Sequence, residues 1–472
     1  MSNCCPKLKQ SKFLVPLSSV WQPGSIVPLQ ITALTSEGDG VGHIQGRVVF
    51  VPQAVPGDEL EVKLVKVKPS YAQAVPVAIQ TPSAHRIQPA CIVADKCGGC
   101  QWQQVAYAKQ LQAKQEAVQD ALQRIGKLGL PPPLPIMGAD AVLHYRNKVT
   151  YPIQTRPDGR LVMGYYQRGS HHLINLNQCP VQDQRLDVYL QEIKQDLQRT
   201  GWPVYDEHTH TGSLRHLGLR IGRRTGQVLI TLVVREANLP GLENWAQAWL
   251  QRYPDLVGVC VNVNAARTNA IFGPKTEVIA GVATLQEIFA DLTLTLDSTS
   301  FFQVYTEQAE HFFTWIVEEM HLQGTATVVD AYCGIGTLSL LVAPQVRRVI
   351  GIESHAAAVA RAEQNSAANQ LDNLDFHPGK VEAILPLLQD VDQVILDPPR
   401  KGCDGEVLKA LQQLQPQQIV YISCHAATLA RDLQPLIQNQ QYSIRQWRAA
   451  DFFPQTGHVE SVVFLQRTEV NP

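Results

Sequence analysis

An apolar, β-branched run, Ile419–Ser423, ends on Cys424, and a helix-like segment begins at once. A thiol at the mouth of a parallel strand stands where open α/β sheets keep their ligands and chemistry. Taken alone, it is also the small core residue that buried cysteines commonly are. A second stretch, Val328–Leu340, reads as strand, glycine turn and helix start. Gly334 and Gly336 let the backbone come close to a ligand at the helix N-terminus. Glu353 follows Gly336 by 17 residues and ends the next strand, "VIGIE". An acid there can accept both hydroxyls of a ribose. The third glycine of the dinucleotide fingerprint is missing, but the glycine turn and the second-strand acid together suggest an adenosine-containing ligand. Asp397 ends another strand in "ILDPPRKG", where Pro398–Pro399 cannot continue the ladder. Its carboxylate is expected to face the same crevice as Glu353.

A third kind of chemistry is written in cysteines. Cys91, Cys97 and Cys100 have C-x5-C-x2-C spacing with glycines between them, and Cys179 precedes a proline. Four such thiolates suit one inorganic centre, and Cys-Pro as the last ligand recurs in iron–sulfur proteins. Zinc also takes four cysteines, but the spacing fits neither a two-knuckle zinc ribbon nor a thioredoxin-type pair. A [4Fe-4S] cluster is the favoured occupant. Cys4 and Cys5 receive no role, Cys260 and Cys333 sit in apolar runs as core residues, and Cys403 follows a loop glycine.

The elements that must position these groups follow from length and pattern. A chain of 472 residues needs two to four domains. At 45% hydrophobic and 17% charged it has a globular composition, and no apolar run approaches the ~18 residues of a membrane span. The start is too broken for a secretory signal, which points to the cytoplasm. Ten cysteines in such a chain argue for metal or catalytic use over disulfides. Residues 1–180 carry 18 Lys+Arg against 10 Asp+Glu, the remainder 22 against 32. A basic front half suggests a polyanion-binding module. Short strands punctuated by Gly and Pro from Gly24 to about Pro82 fit a small β-barrel, and Lys63, Lys66 and Lys68 make one edge basic. Gln101–Arg124 should be helical. Residues 141–295 alternate strand-like runs with turns, and the tail from about Thr325 alternates apolar strands with helical patterns, as a doubly wound parallel sheet does.

Together, the tail and the four cysteines resemble the RNA (uracil-carbon-5) methyltransferases. "HYRNKV" (His144–Val149), "GYYQRGSHHLINLNQCP" (Gly164–Pro180), "FFQVYTEQAE" (Phe301–Glu310) and the ending "DFFPQTGHVESVVFL" (Asp451–Leu465) carry the likeness further. The resemblance implies an α/β and β multidomain protein. It would comprise a TRAM-type RNA-binding β-barrel (20–82), a central β-rich iron–sulfur region (83–295) and a Rossmann-like S-adenosylmethionine-dependent domain (296–472). It implies that Cys424 is the nucleophile that adds to uracil carbon 6, and that Glu460 is the base that removes the carbon-5 proton. Gln303, Tyr332, Glu353 and Asp397 would bind S-adenosylmethionine. The implied partner is RNA, 23S rRNA ahead of tRNA, with no membrane or obligate protein partner. A non-catalytic iron–sulfur RNA-binding protein is the rival of another class, and retention of Cys424, Glu460, Asp397 and Glu353 together argues against it. No C-x3-C-x2-C exists to support a radical enzyme. The chain departs from the family pattern at His425 and Ala426 after the cysteine, at Tyr305, and at Gln455 and Gly457. These departures bear on local pocket geometry.

Overall fold

The computed structural model describes residues 20–468; Cys4 and Cys5 lie outside them. The chain divides into two compact units. One runs to Gln88 and takes in Gln104–Ala106; the other holds Pro89–Gln103 and everything from Tyr107 on.

The first unit contains a closed barrel of β1 (Ile26–Leu34), β2 (Asp39–Ile44), β3 (Arg47–Pro52), β4 (Glu59–Val67) and β5 (Tyr71–Thr81), in the order β1-β2-β3-β5-β4. Period-two alternation builds it. In β4, Leu60, Val62 and Leu64 are buried while Glu59 and Lys63 face out. Lys66 and Lys68 are also exposed, giving the basic edge expected from the sequence. Asp58 is buried at the entry to β4. Burial opposes its charge, but the Arg86 guanidinium at 2.5 Å and the N–H groups of Ser83 and Val55 hold its carboxyl below the usual range.

In the second unit, a seven-stranded sheet runs β12-β11-β10-β9-β6-β7-β8. Its strands are β6 (Lys148–Thr155), β7 (Leu161–Tyr166), β8 (Leu173–Asn175), β9 (Leu214–Ile221), β10 (Val228–Val234), β11 (Leu256–Val263) and β12 (Lys275–Gly281). Every residue of β10 is buried, which is why it reads as one apolar run. Two helices pack here that the β-rich reading of residues 141–295 did not include, Leu186–Thr200 and Leu242–Arg252. The second is the crossover that makes β10 and β11 parallel. A hairpin, β13 (Thr284–Phe289) and β14 (Leu292–Asp297), follows.

The tail forms the doubly wound sheet expected of it. β15 (Thr327–Ala331), β16 (Arg348–Glu353), β17 (Leu374–Pro378), β18 (Gln393–Leu396) and β19 (Gln418–Ser423) are parallel, while β20 (Tyr442–Ala450) and β21 (Glu460–Arg467) close one edge antiparallel. The order is β17-β16-β15-β18-β19-β21-β20. The winding therefore reverses between β15 and β18, and a crevice opens at the carboxyl ends of those strands. Both faces are covered. Val329, Ile350, Val394 and Ile419 look into one apolar core; Val328, Val349, Ile395 and Val420 look into the other. Among the described residues no helix is long and apolar enough to cross a membrane.

The helix expected over Gln101–Arg124 begins at Tyr107, as α1 (Tyr107–Asp120), and ends in a π turn, Ala121–Ile125. Gln101 and Trp102 instead donate their N–H groups to the carbonyl of Gln455 at 3.1 and 3.0 Å. α1 is strapped to the segment between β20 and β21. Gln110 exchanges two hydrogen bonds with Gln455, and the wholly buried Lys114 ammonium meets Asp451 at 2.5 Å and the Phe453 carbonyl at 3.0 Å. A buried pair costs much to dehydrate, and removing one partner leaves the other charge stranded. Lys114→Met should lower stability by about 3–5 kcal/mol. The Lys114→Met/Asp451→Leu double variant should recover much of that loss in urea or thermal melts.

Candidate active site

The crevice is built from turns that leave β15, β16 and β18. After Ala331 the chain enters the left-handed region at Tyr332 (φ 69°), Gly334 (57°) and Gly336 (85°). A tyrosine in that region is strained, and the turn is held by N–H bonds from Tyr332 and Cys333 to the Ile352 carbonyl at 2.9 and 3.1 Å. Gly336, at φ 85°, sits in the region a side chain rarely adopts, and so lets the chain turn directly into the helix Thr337–Val342. Glu353, at the end of β16, accepts the Gly334 N–H at 3.2 Å and the His355 N–H at 2.7 Å. Its carboxylate is thereby aimed over the glycine turn. Asp330 lies beneath, buried and bonded by the Ser339 hydroxyl at 2.5 Å; burial pushes it up to about 6.

Asp397 follows β18, across the reversal point from Asp330. Burial first, and Asp330 second, push its carboxyl up to about 7. The loop beyond it is fastened to the helix Ala426–Gln438. The Thr428 hydroxyl donates to the Arg400 carbonyl at 3.2 Å, Arg431 donates to the Lys401 carbonyl at 2.8 Å, and Cys403 N–H donates to Asp432 at 2.7 Å.

Cys424 follows β19, and its partner comes from the antiparallel strand. Ser423 pairs with Ser461, and the Ser461 hydroxyl donates to the Ser423 carbonyl at 3.1 Å. One step beyond that pair come Cys424 and Glu460, near enough for the Glu460 charge to act on the thiol. Glu460 is buried; burial and the nearby Asp397 raise its carboxyl well above the usual range, with Arg400 opposing. The Cys424 thiol is pushed up to about 11 by burial, Glu460 and Asp397, while the Arg400 guanidinium, hydrogen-bonded to the sulfur, works against that rise. Arg400 lies in "DPPRKG", and its place in the sequence assigns it no role. Its one signal was being a cation three positions past a strand-end acid.

The structure thus brings Cys424, Glu460 and Asp397 together, with Glu353 grouped around Asp330 on the other side of the reversal. The half-buried Tyr332 is in hydrogen-bond contact with Cys403. Gln303 lies in the segment before the helix Thr306–Glu319, where Asn147 donates its amide to the Gln303 carbonyl and the Thr306 hydroxyl, both at 2.9 Å. The departures from the family pattern have visible work. His425 caps the helix after the cysteine, accepting Thr428 N–H at 3.3 Å. Tyr305 stacks on Tyr145 with centroids 4.7 Å apart and bonds both backbone groups of Ala141. Gln455 fastens α1, as described above.

Cys91, Cys97, Cys100 and Cys179 all line one cavity of about 50 Å³, with Arg146 and Tyr165. The loop bearing the first three is pinned to the end of β7 by Gly98 N–H to the Tyr166 carbonyl at 2.9 Å. Burial pushes the thiols of Cys100 and Cys179 up to about 12 and 11 and raises Cys97 as well, and the four sulfurs sense one another's charge. Among the described residues no group of three or more His, Cys, Asp or Glu is arranged around a single metal ion. A void ringed by four thiols suits a polynuclear centre, which needs volume between its ligands. Loading it would release protons from these thiols.

The sequence model of the tRNA (Uracil-5-)-methyltransferase family matches residues 106–468, and that of the TRAM domain residues 20–77. An uncharacterized RNA methyltransferase of Nostoc sp. is 53% identical over 448 residues, which are 95% of this chain and 97% of that protein. One of Synechocystis sp. is 49% identical over 450 residues, with the same coverage of each. The crystal structure of Pyrococcus abyssi tRNA (uracil-54, C5)-methyltransferase in complex with S-adenosyl-L-homocysteine superposes with a TM-score of 0.74 at 25% identity. It covers 93% of this chain and 100% of that one. A strand-end crevice of this geometry, matched in sequence across three quarters of the chain, places the protein in the tRNA (uracil-5-)-methyltransferase family of S-adenosylmethionine-dependent RNA methyltransferases.

Proposed function

We propose that this protein methylates carbon 5 of a uridine in 23S rRNA through a covalent bond between Cys424 and the base. The observation that carries this reading is the gathering of Cys424, Glu460 and Asp397 at the end of the β19–β21 ladder, near enough to act on one another's charge. Uracil carbon 5 is a poor nucleophile. The Cys424 thiolate adds to carbon 6, and the carbon 5–carbon 6 π electrons move to make carbon 5 enolate-like. Bound S-adenosylmethionine supplies an electrophilic methyl group and a positive charge. Carbon 5 takes the methyl, Glu460 takes the carbon-5 proton, the double bond re-forms, and the carbon 6–sulfur bond breaks to free Cys424. Asp397 and Glu353 orient the cofactor at its sulfonium and ribose ends, with Gln303 and Tyr332 flanking it. Arg400 lowers the cost of carrying a thiolate at Cys424. With 5-fluorouridine-containing RNA and cofactor, the wild-type protein should give an adduct stable to denaturation, since fluorine cannot leave as a proton does. Cys424→Ala should give none, and Glu460→Gln should accumulate an adduct even on ordinary RNA. Multiple turnovers by Cys424→Ala would sink the nucleophile assignment.

We further propose that the four-cysteine cavity holds a [4Fe-4S] cluster, closed by Cys91, Cys97, Cys100 and Cys179. These residues join the start of the second unit to the loop before the helix Leu186–Thr200, so the centre would stiffen the RNA-binding face without entering the reaction. Anaerobically purified protein should carry about four irons and absorb broadly in the visible. Cys97→Ser should lose iron and RNA affinity while still binding S-adenosylmethionine. Stoichiometric zinc without iron would defeat the assignment.

The preference for 23S rRNA rests on the company of TRAM barrel and cysteine site, which simpler tRNA enzymes of the family typically lack. A second reading, a tRNA substrate, is favoured by the 25% identical Pyrococcus abyssi enzyme, whose match extends over 93% of this chain. Either substrate implies action in the cytoplasm. Mass mapping of RNA from a deletion strain should show one missing 5-methyluridine in 23S rRNA; its loss from tRNA instead would select the second reading.

A further inference from the structure

Asp432 lies in the helix Ala426–Gln438, past Cys424, and its carboxylate is buried. A charge kept at such depth must be bonded, and this one is bonded from three directions. Oδ2 accepts the Tyr421 hydroxyl at 2.6 Å and the Cys403 N–H at 2.7 Å, while Oδ1 accepts Arg431 Nε at 2.8 Å. Tyr421 belongs to β19, the strand that leads into Cys424. Cys403 closes the loop that starts at Asp397 and carries Arg400. Gly402, at φ 80°, turns that loop so tightly onto the helix that a β-carbon there would overlap Asp432 Oδ2. Arg431 fastens the loop a second time, at the Lys401 carbonyl, 2.8 Å away. The Cys403 thiol is itself in hydrogen-bond contact with Tyr421 and Tyr332, so the network reaches the strained turn after β15.

One carboxylate therefore ties together the strand that ends at Cys424, the helix that begins just after it, and the loop that brings Asp397 and Arg400 to the sulfur. Packing of the helix on the sheet does not call for a charge here, since its neighbours Leu429, Ala430 and Leu433 are buried in the apolar core. The donors call for it. An acceptor-only group with two oxygens meets all three, whereas an amide in its place would turn an NH2 toward one of them. What the loop carries matters to the thiol. Burial, Glu460 and Asp397 favour the protonated sulfur and Arg400 favours the thiolate, while His425, next in the chain, is turned to Thr428. The place of one guanidinium thus decides how readily Cys424 gives up its proton. We propose that Asp432 is a positioning residue for methyl transfer, which holds the Arg400 guanidinium at the Cys424 sulfur by anchoring the loop that bears it. The inference rests on the reading of Cys424 as the nucleophile.

The test alkylates the full-length protein with iodoacetamide at about pH 8, without RNA, and follows the Cys424 peptide by mass spectrometry. Asp432→Asn should slow alkylation about threefold, the effect of a rise of about one unit in a thiol's pKa once the greater nucleophilicity of the more basic thiolate is allowed for. In an Arg400→Gln background the same substitution should change the rate by less than about 1.5-fold, because the guanidinium it would displace is gone. A merely structural role would slow both backgrounds alike. Arg431→Gln, at a half-exposed position, breaks the Lys401 link and should slow alkylation about twofold with the same dependence on Arg400; it carries the test if Asp432→Asn does not fold. Alkylation at or above the wild-type rate in folded Asp432→Asn, or in Arg431→Gln where that protein does not fold, would overturn the proposal. So would equal slowing with and without Arg400. Adduct formation on 5-fluorouridine-containing RNA is read separately. No wild-type adduct, with the Arg400-dependent slowing intact, defeats the reaction and leaves the link between Asp432 and Arg400 standing; a wild-type adduct with unslowed alkylation in the variants defeats the positioning role alone.

Discussion

The site depends on the direction of one strand. Parallel strands all finish at the same edge, so residues at their ends (Tyr332, Glu353, Asp397, Cys424) collect there from four separate stretches of chain. Only a strand that runs the other way can begin at that edge, and β21 does so at Glu460. The side-chain period of a strand is two, so a slip of one residue in the β19–β21 register would turn Glu460 to the opposite face. The buried alternation of Val462 and Val463 between the two cores forbids that slip. β21 is in turn paired with β20, and the connection between them is strapped to α1 through Asp451 and Gln455. A clamp distant in sequence therefore underwrites the register beside Cys424.

Charge in the crevice follows from crowding. Asp330, Asp397 and Glu460 are all held above ordinary carboxylate values, chiefly by burial and partly by one another. Groups that must share a buried space hold their protons until something positive arrives. Arg400 supplies part of that charge from a loop fixed by Thr428 and Arg431 of the following helix. A bound sulfonium supplies more, at the point where it also does the chemistry.

How much of this was legible depended on whether the cause lay along the chain or across it. Strand ends could be read because β15, β16, β18 and β19 are buried on both faces and stand out as apolar runs that stop abruptly. The four cysteines could be read because spacing and glycine content are local. Arg400 could not, since a single cation in a turn has no periodicity to mark it. The start of α1 at Tyr107 could not either. Residues 101–103 have helical composition, yet the N–H groups of Gln101 and Trp102 go to a carbonyl more than three hundred residues away. The helices Leu186–Thr200 and Leu242–Arg252 were masked by the strand-rich segments around them.

A thiol held near 11 has a further consequence for chemical durability. At neutral pH the Cys424 sulfur is held as the thiol. Peroxides and alkylating agents react with thiolates, not thiols. In the resting protein Cys424 is therefore nearly invisible to them, half-buried though open to a ligand. A thiol that keeps its proton until positive charge enters the crevice spends its idle time unreactive, and oxidative damage is steered away from this sulfur.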